Sequence, residues 1–165
     1  MAECAQALAQ AKEAGIASDA AESLRVLDVG ALDALEAALE DRPFRRARHV
    51  LTENARVDAF HHALAGRDLA AAGAILDEGM RSLRRDYEVS VPELDALCDI
   101  ANAHPACHGS RLTGAGWGGC TVHLVERDGA AEVATAIDAG FAKRFGRSAR
   151  VLTVKPSDGA SVVPA

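Results

Sequence analysis

The chain has 165 residues, of which 49% are apolar and 4% aromatic, and its formal net charge is −6. That length supports one domain with a real core, and that apolar fraction excludes disorder. The acidic balance argues against a nucleic-acid or anionic-membrane surface, because binding phosphates needs a basic face.

Abundant alanine with few aromatic residues predicts a helix-rich core of small side chains. Residues 1–41 read as a helical lead-in of alanine-rich pieces, broken near Gly15-Ile-Ala-Ser18 and at Gly30. Ser18 or Asp19 is the candidate cap of the second piece, and Asp28 or Gly30 its candidate end. Lys12 and Glu13 interrupt any apolar run at the N-terminus, so no signal peptide is expected. No segment approaches the ~20 uninterrupted apolar residues of a membrane span. Four cysteines, Cys4, Cys98, Cys107 and Cys120, make no Cys-x-x-Cys pair. Reduced thiols in a cytoplasmic protein are expected.

From Phe44 to Ala65 the spacing predicts a helix whose inner face carries Ala47, Val50, Leu51, Asn54, Val57, His61 and Leu64. The basic cluster Arg42, Arg45, Arg46 and Arg48 is expected on its solvated face. Of the pair His61-His62, one ring should be buried and the other exposed. Gly66 is placed to end this helix. Asp68 starts the next, with Leu69, Ala72, Gly73, Leu76, Met80 and Leu83 on one face. The two should form an antiparallel hairpin across a tight Gly66-Arg67 turn. Asp86-Tyr87-Glu88 reads as a helix exit in which Tyr87 packs and both carboxylates stay solvated. Ser90-Val-Pro-Glu93 has the spacing of a capping box, with Pro92 in the first turn. The helix it opens carries Leu94, Leu97, Cys98 and Ala101, and stops near His104-Pro105. His104-Pro-Ala-Cys-His108 places three potential metal ligands within five residues. Pro105 prevents a regular ligating helix face there, and a fourth converging ligand is missing.

Then the pattern changes to an extended piece Ser110–Thr113, a glycine loop, a strand over 120–126, a helix over 129–145 ended by Gly146, and a last strand over 149–155. This order predicts an α+β fold with a small, mainly antiparallel sheet packed on helices. A further strand outside this sequence would be needed to cover the open edge. Five glycines fall between Gly109 and Gly119, four of them within Gly114 to Gly119. Such a loop can turn its N–H groups into one concavity that attracts anions. Gly114, Gly116 and Gly119 match G-x-G-x-x-G, but a strand follows where a dinucleotide site needs a helix. No Gly-Lys-Ser/Thr follows, and the partner motifs of a protein-kinase glycine loop are missing. On residues alone, a tight bulged hairpin is the plain reading. Cys120, unflanked by lysine or arginine, is expected as a small buried hydrophobe rather than a nucleophile.

Arg111-Leu-Thr-Gly-Ala-Gly-Trp-Gly-Gly-Cys120 resembles the third signature motif of the GHMP kinases, in the form found in galactokinases. Three further blocks agree in order: Arg45 to Arg56, Arg81 to Asp95, and Lys155-Pro-Ser-Asp-Gly159. The resemblance covers nearly the whole chain. It implies residues 1–165 as one C-terminal GHMP-kinase domain with a ferredoxin-like core, residues 1–41 being the lead-in and 42–165 the core. It implies a half-enzyme for ATP-dependent phosphorylation of galactose at the anomeric hydroxyl. ATP and Mg²⁺ would serve the intact enzyme, and neither should bind tightly to this chain alone. The partner would be the absent N-terminal, nucleotide-binding half, which in the family carries the Gly-Leu-Ser-Ser-Ser loop, the carboxylate base and the metal ligands. No catalytic or metal-binding residue carries over onto this chain. What carries over is Thr113, Gly114, Ala115, Gly116, Trp117, Gly118 and Gly119, a wall of the active-site cleft, with Cys120 closing the motif. Bulk at Gly116 or Gly118 should then collide with the neighbouring phosphate loop. Trp117 stands where phenylalanine is usual and should fill an apolar gap. Gly79-Met80 and Arg85 also depart from the family's usual Ser-His and Asp, and Gly79 should weaken its helix by up to ~1 kcal/mol. Half of another GHMP sugar kinase, or a stand-alone sugar- or ligand-binding regulatory module, are the alternatives.

Overall fold

The computed structural model describes residues 2–155. Helix α1 (Ala2–Glu13) opens the chain, followed by the 3-10 turns Leu24–Val26 and Val29–Ala31 and by α2 (Leu32–Ala38). Asp28 starts the second of these turns rather than ending a helix, because its carboxylate accepts the Gly30 N–H. Ser18 and Asp19 lie in a turn and cap no helix. The lead-in is thus more broken than its alanine content suggests.

Two long helices follow, α3 (Asp41–Ala65) and α4 (Leu69–Arg85). Asp68 caps α4 by accepting the Ala71 N–H at 2.9 Å. Between them the left-handed residue is Arg67, at φ 57°, while Gly66 stays right-handed. The inner face of α3 holds only for its first half. Phe44, Ala47 and Leu51 are buried with α1 and α2, whereas Val57, His61, His62 and Leu64 are exposed. Neither histidine of the pair is therefore in the core.

Helix α5 (Pro92–Asn102) begins with proline in its first turn. The capping box does not form. Val91 is the cap residue, and the Ser90 hydroxyl donates instead to Asp95 at 2.6 Å. Strands β1 (Cys107–Thr113) and β2 (Cys120–Val125) make an antiparallel pair running from Cys107↔Val125 to Thr113↔Cys120, with an irregularity at Cys107/Gly109. Helix α6 (Ala130–Phe145) ends on left-handed Gly146 at φ 70°. The fold is α+β: helical, with a two-stranded antiparallel sheet. The last strand expected over 149–155 does not form, for those residues pair with nothing. Residues 156–159 of the tail block lie outside the described residues.

The hairpin lies tight on α4 because glycine faces glycine. A Cβ on Gly73 would overlap the His108 main chain, and one on Gly109 would overlap Gly73 itself. No other residue permits that approach. Met80, Leu83, Val89, Leu94, Cys98 and Leu112 then close a core between α4, α5 and β1. Ala101, Val133 and Ile137 form another between α5 and α6. Among the described residues, no helix is long and apolar enough to cross a membrane.

Candidate functional site

Residues 114–119 join β1 to β2 and carry the chain's densest run of left-handed backbone. Gly114, Gly116, Gly118 and Gly119 have φ between 83° and 134°, and Trp117 has φ 54°. The loop is fastened from behind at one residue. Val89 is buried, its carbonyl accepts the Trp117 N–H at 2.7 Å, and a Cβ on Gly116 would meet the Val89 oxygen and lie 2.7 Å from its Cβ. Within this chain, bulk at Gly116 would thus clash with the core. At Gly118 a Cβ would meet nothing within 4 Å.

The front of the loop faces solvent. Thr113, Gly114, Ala115, Gly119 and Cys120 are exposed. Trp117 is 71% exposed, so its indole fills no gap within this chain. Cys120 is likewise exposed rather than buried. All four thiols are free, and burial pushes the Cys98 thiol up to about 12. Arg111, the basic residue nearest the loop, is already committed. Its Nη1 donates to Glu53 at 2.6 Å, and Glu53 also receives Arg56 Nε at 3.0 Å. Desolvation pushes the Glu53 carboxyl up, but the two arginines outweigh it and hold the pKa below its usual range. Gly79 leaves room for this pair, since a Cβ there would sit 3.0 Å from Arg111 Nη1. Next to it, Met80 Sδ accepts the Leu112 N–H at 3.3 Å. The two departures at 79 and 80 therefore both serve β1.

Beneath the hairpin runs a buried hydrogen-bond chain. The Ser110 hydroxyl donates to Asn102 Oδ1 at 2.6 Å and sits 2.8 Å from His123 Nδ1. Its proton is spent on Asn102, so His123 Nδ1 carries hydrogen and donates. Thr121 then donates to His123 Nε2 at 2.8 Å. Burial lowers the His123 pKa to about 4, which keeps the ring neutral in this arrangement. The outer edge of β2 is unpaired among the described residues, and a groove of about 730 Å³ runs beside it. Leu94, Leu97, Ile137 and Phe141 wall the groove, with Trp117 at one end and residues 147–154 along its far side.

The arginine cluster is a hub rather than a solvated face. Arg46 is 4% exposed and donates to Glu3, to Glu88 (2.6 Å each) and to the Asp86 carbonyl. Arg48 pairs with the Asp86 carboxylate, which also accepts the Ser82 hydroxyl at 2.9 Å. Glu88 takes Arg45 as well, at 3.0 Å. Of the two carboxylates flanking Tyr87, Asp86 is buried, while Glu88 keeps the expected exposure to solvent although its oxygens are paired. The Arg46 hydrogen bond, then that of Arg45, lowers the Glu88 pKa to about 2. Helical spacing contained the signal, because Arg46 lies between Pro43 and Val50 on the arc that buries Ala47. Val89 had no such marker. Its role comes from a carbonyl, which side-chain identity does not report.

His104 and His108 do not converge. They lie 3.8 Å from Glu132 and 2.7 Å from Glu126 respectively. Among the described residues no three His, Cys, Asp or Glu side chains meet in a metal cage.

The family model described as "GHMP kinases C terminal" matches residues 59–143, and the chain belongs to that family. Its relatives within the family are galactokinases. It is 47% identical to the galactokinase of Chloroflexus aggregans over 116 residues, 70% of this chain and 30% of that one. Against the Homo sapiens galactokinase identity is 42% over 142 residues, 86% of this chain and 35% of the relative. The crystal structure of Lactococcus lactis galactokinase complexed with galactose superposes with a TM-score of 0.80 at 30% identity, covering 89% of this chain and 37% of that one. The chain spans about a third of the length of the curated relatives it matches.

Proposed function

We propose that residues 1–165 act as the C-terminal domain of a galactokinase-type sugar kinase, with 1–41 as lead-in and 42–165 as core. In this reading Thr113 to Gly119 form one wall of a cleft in which ATP phosphorylates galactose at the anomeric hydroxyl. The observation that carries it is a glycine loop built rigidly from behind by Val89 and left open in front. A wall of that kind contributes position and backbone dipoles to phosphoryl transfer, which depends mainly on positioning and charge stabilisation. The nucleotide loop, the carboxylate base and the Mg²⁺ ligands are assigned to the N-terminal half of the kinase. Arg111 is held by Glu53, and the main nucleotide loop is assigned to the other half, so ATP should bind this chain weakly when it is alone. ATP and Mg²⁺ enter with the partner half, and the working location is the cytoplasm.

The test is to mix this chain with a separately expressed N-terminal half of a galactokinase. Galactose-dependent ATP consumption by the mixture, and by neither part alone, is the expected result. Turnover by this chain alone would overturn the half-enzyme reading. The groove beside Trp117 favours one second reading, a ligand-binding module. Saturable galactose binding by the isolated chain, read from its single tryptophan, would support that instead.

A further inference from the structure

Between α4 and α5 the chain passes through Asp86–Val89, where arginines of α3 hold the Asp86 carbonyl and the carboxylates of Asp86 and Glu88. Arg46 Nη1 donates to the Asp86 carbonyl and Nη2 to Glu88 at 2.6 Å, while Nε holds Glu3 at 2.6 Å. Glu88 also carries Arg45 at 3.0 Å and Arg42 at 3.6 Å. Its backbone is left-handed, at φ 58°, a conformation that a residue with a Cβ holds only when its surroundings impose it. The next residue is Val89. Its N–H donates to the Leu83 carbonyl at 3.1 Å, and its own carbonyl receives the Trp117 N–H at 2.7 Å. Gly116 rests on its side chain.

We propose that Arg46, acting through Glu88, is the positioning residue of the glycine loop. The guanidinium imposes the left-handed turn at Glu88. That turn aims the Val89 carbonyl, and the carbonyl sets where Trp117 and the loop around it stand. Three acceptors on two segments, Glu3 on α1 and Asp86 and Glu88 after α4, need a planar fork with several donors, which arginine has and lysine lacks. The physical linkage stands on this chain alone; its bearing on catalysis rests on the function proposed above.

Trp117 is the chain's single tryptophan, so the loop carries its own reporter. The experiment follows the Trp117 amide by hydrogen exchange and the indole by fluorescence anisotropy. The variants are Arg46→Lys, Glu88→Ala and Glu88→Gly. In Glu88→Ala the Trp117 amide should exchange roughly tenfold faster while the buried Leu112 amide keeps its rate. Anisotropy should fall with it. Glu88→Gly, which adopts the left-handed turn unaided, should restore most of the wild-type behaviour, as a role confined to charge would not. Arg46→Lys should resemble Glu88→Ala. If Arg46→Lys does not fold, the two Glu88 variants decide, since that side chain is partly exposed. Unchanged Trp117 exchange in folded Glu88→Ala, or a joint rise of Trp117 and Leu112, would overturn the proposal. In the reconstituted mixture both loosening variants should lower kcat and leave KM for galactose little changed. An inactive wild-type mixture would count against the kinase reading and leave the loop measurement to stand or fall by itself.

Discussion

Gly114 and Gly116 are two residues apart in one loop and both left-handed, yet they do different work. At Gly114 a Cβ would meet open space, so alanine there meets only the backbone preference. At Gly116 the same Cβ would strike Val89, a residue packed among Leu83, Leu94 and Leu112. Gly114→Ala should therefore cost about 1 kcal/mol, and Gly116→Ala about twice that or more, since the core must also shift. Urea midpoints of the two variants check the order; equal losses would show that the contact with Val89 matters little. The glycine run itself was plain in the sequence, and so was the need for glycine at 116. What collides with it was not. An i,i+28 contact between the Trp117 amide and the Val89 carbonyl leaves no periodic trace. Trp117 is 71% exposed for a related reason, because a large apolar side chain is buried within this chain only if this chain supplies the cover.

Among the elements, α3 shows how a helix can be legible in extent and misread in its faces. Its span followed from spacing, and its first half buries Phe44, Ala47 and Leu51 as spacing requires. Its arginines were assigned to solvent because charges usually are. Arg46 instead ties α1, through Glu3, to the exit of α4, through Glu88 and the Asp86 carbonyl. Arg46→Met should lower stability by about 2–3 kcal/mol, less than for a fully buried pair because Glu3 and Glu88 are partly exposed; thermal or urea unfolding reads it directly. The same helix sets a pH dependence. His49 stacks on Tyr87 at 4.5 Å, lies 3.0 Å from Ser82 Oγ, and has its pKa lowered to about 4, chiefly by burial. His123 behaves alike. For both, the unfolded chain takes up a proton near pH 6.5 and the folded chain only near 4. Their contribution is complete above 6.5 and is lost as pH falls through that window. Glu88 acts lower down, between its ordinary 4.5 and about 2. Unfolding free energy measured from pH 7 to 3 should fall in two stages. His123→Thr should flatten the upper stage and Glu88→Gln the lower; a His123→Thr curve parallel to the wild type would contradict this assignment.

For the molecule as a whole, the decisive feature is a sheet edge that no described residue pairs with. Val151, Leu152 and Val154 favour a strand, and Ala149 is held by Asp138 at 2.9 Å, yet among the described residues no third strand forms. A strand is made by its neighbour as much as by its own residues, and a two-stranded ribbon is a poor template for more. Strand propensity is legible in one sequence; the partner that converts it into structure is not, when the chain spans a third of its relatives. The unpaired edge of β2 carries no charge over Cys120–Val125, and Val122 is 43% exposed. Trp117, Leu152 and Val154 add exposed apolar surface nearby. Natural edges are usually blunted by lysine, proline or a bulge, and this one has none of them. The net charge of −6 opposes association only over a Debye length, about 8 Å at physiological salt, and backbone pairing works inside that range. The isolated chain should therefore self-associate through β2 as its concentration rises to about 100 μM, visible as a growing sedimentation coefficient. Val122→Lys places a charge on the edge strand without touching the core, and should restore the monomer. An N-terminal kinase half that covers this edge should do the same at equimolar ratio. If the wild-type chain stays monomeric throughout, the edge is already protected, and the groove beside it needs no strand from elsewhere.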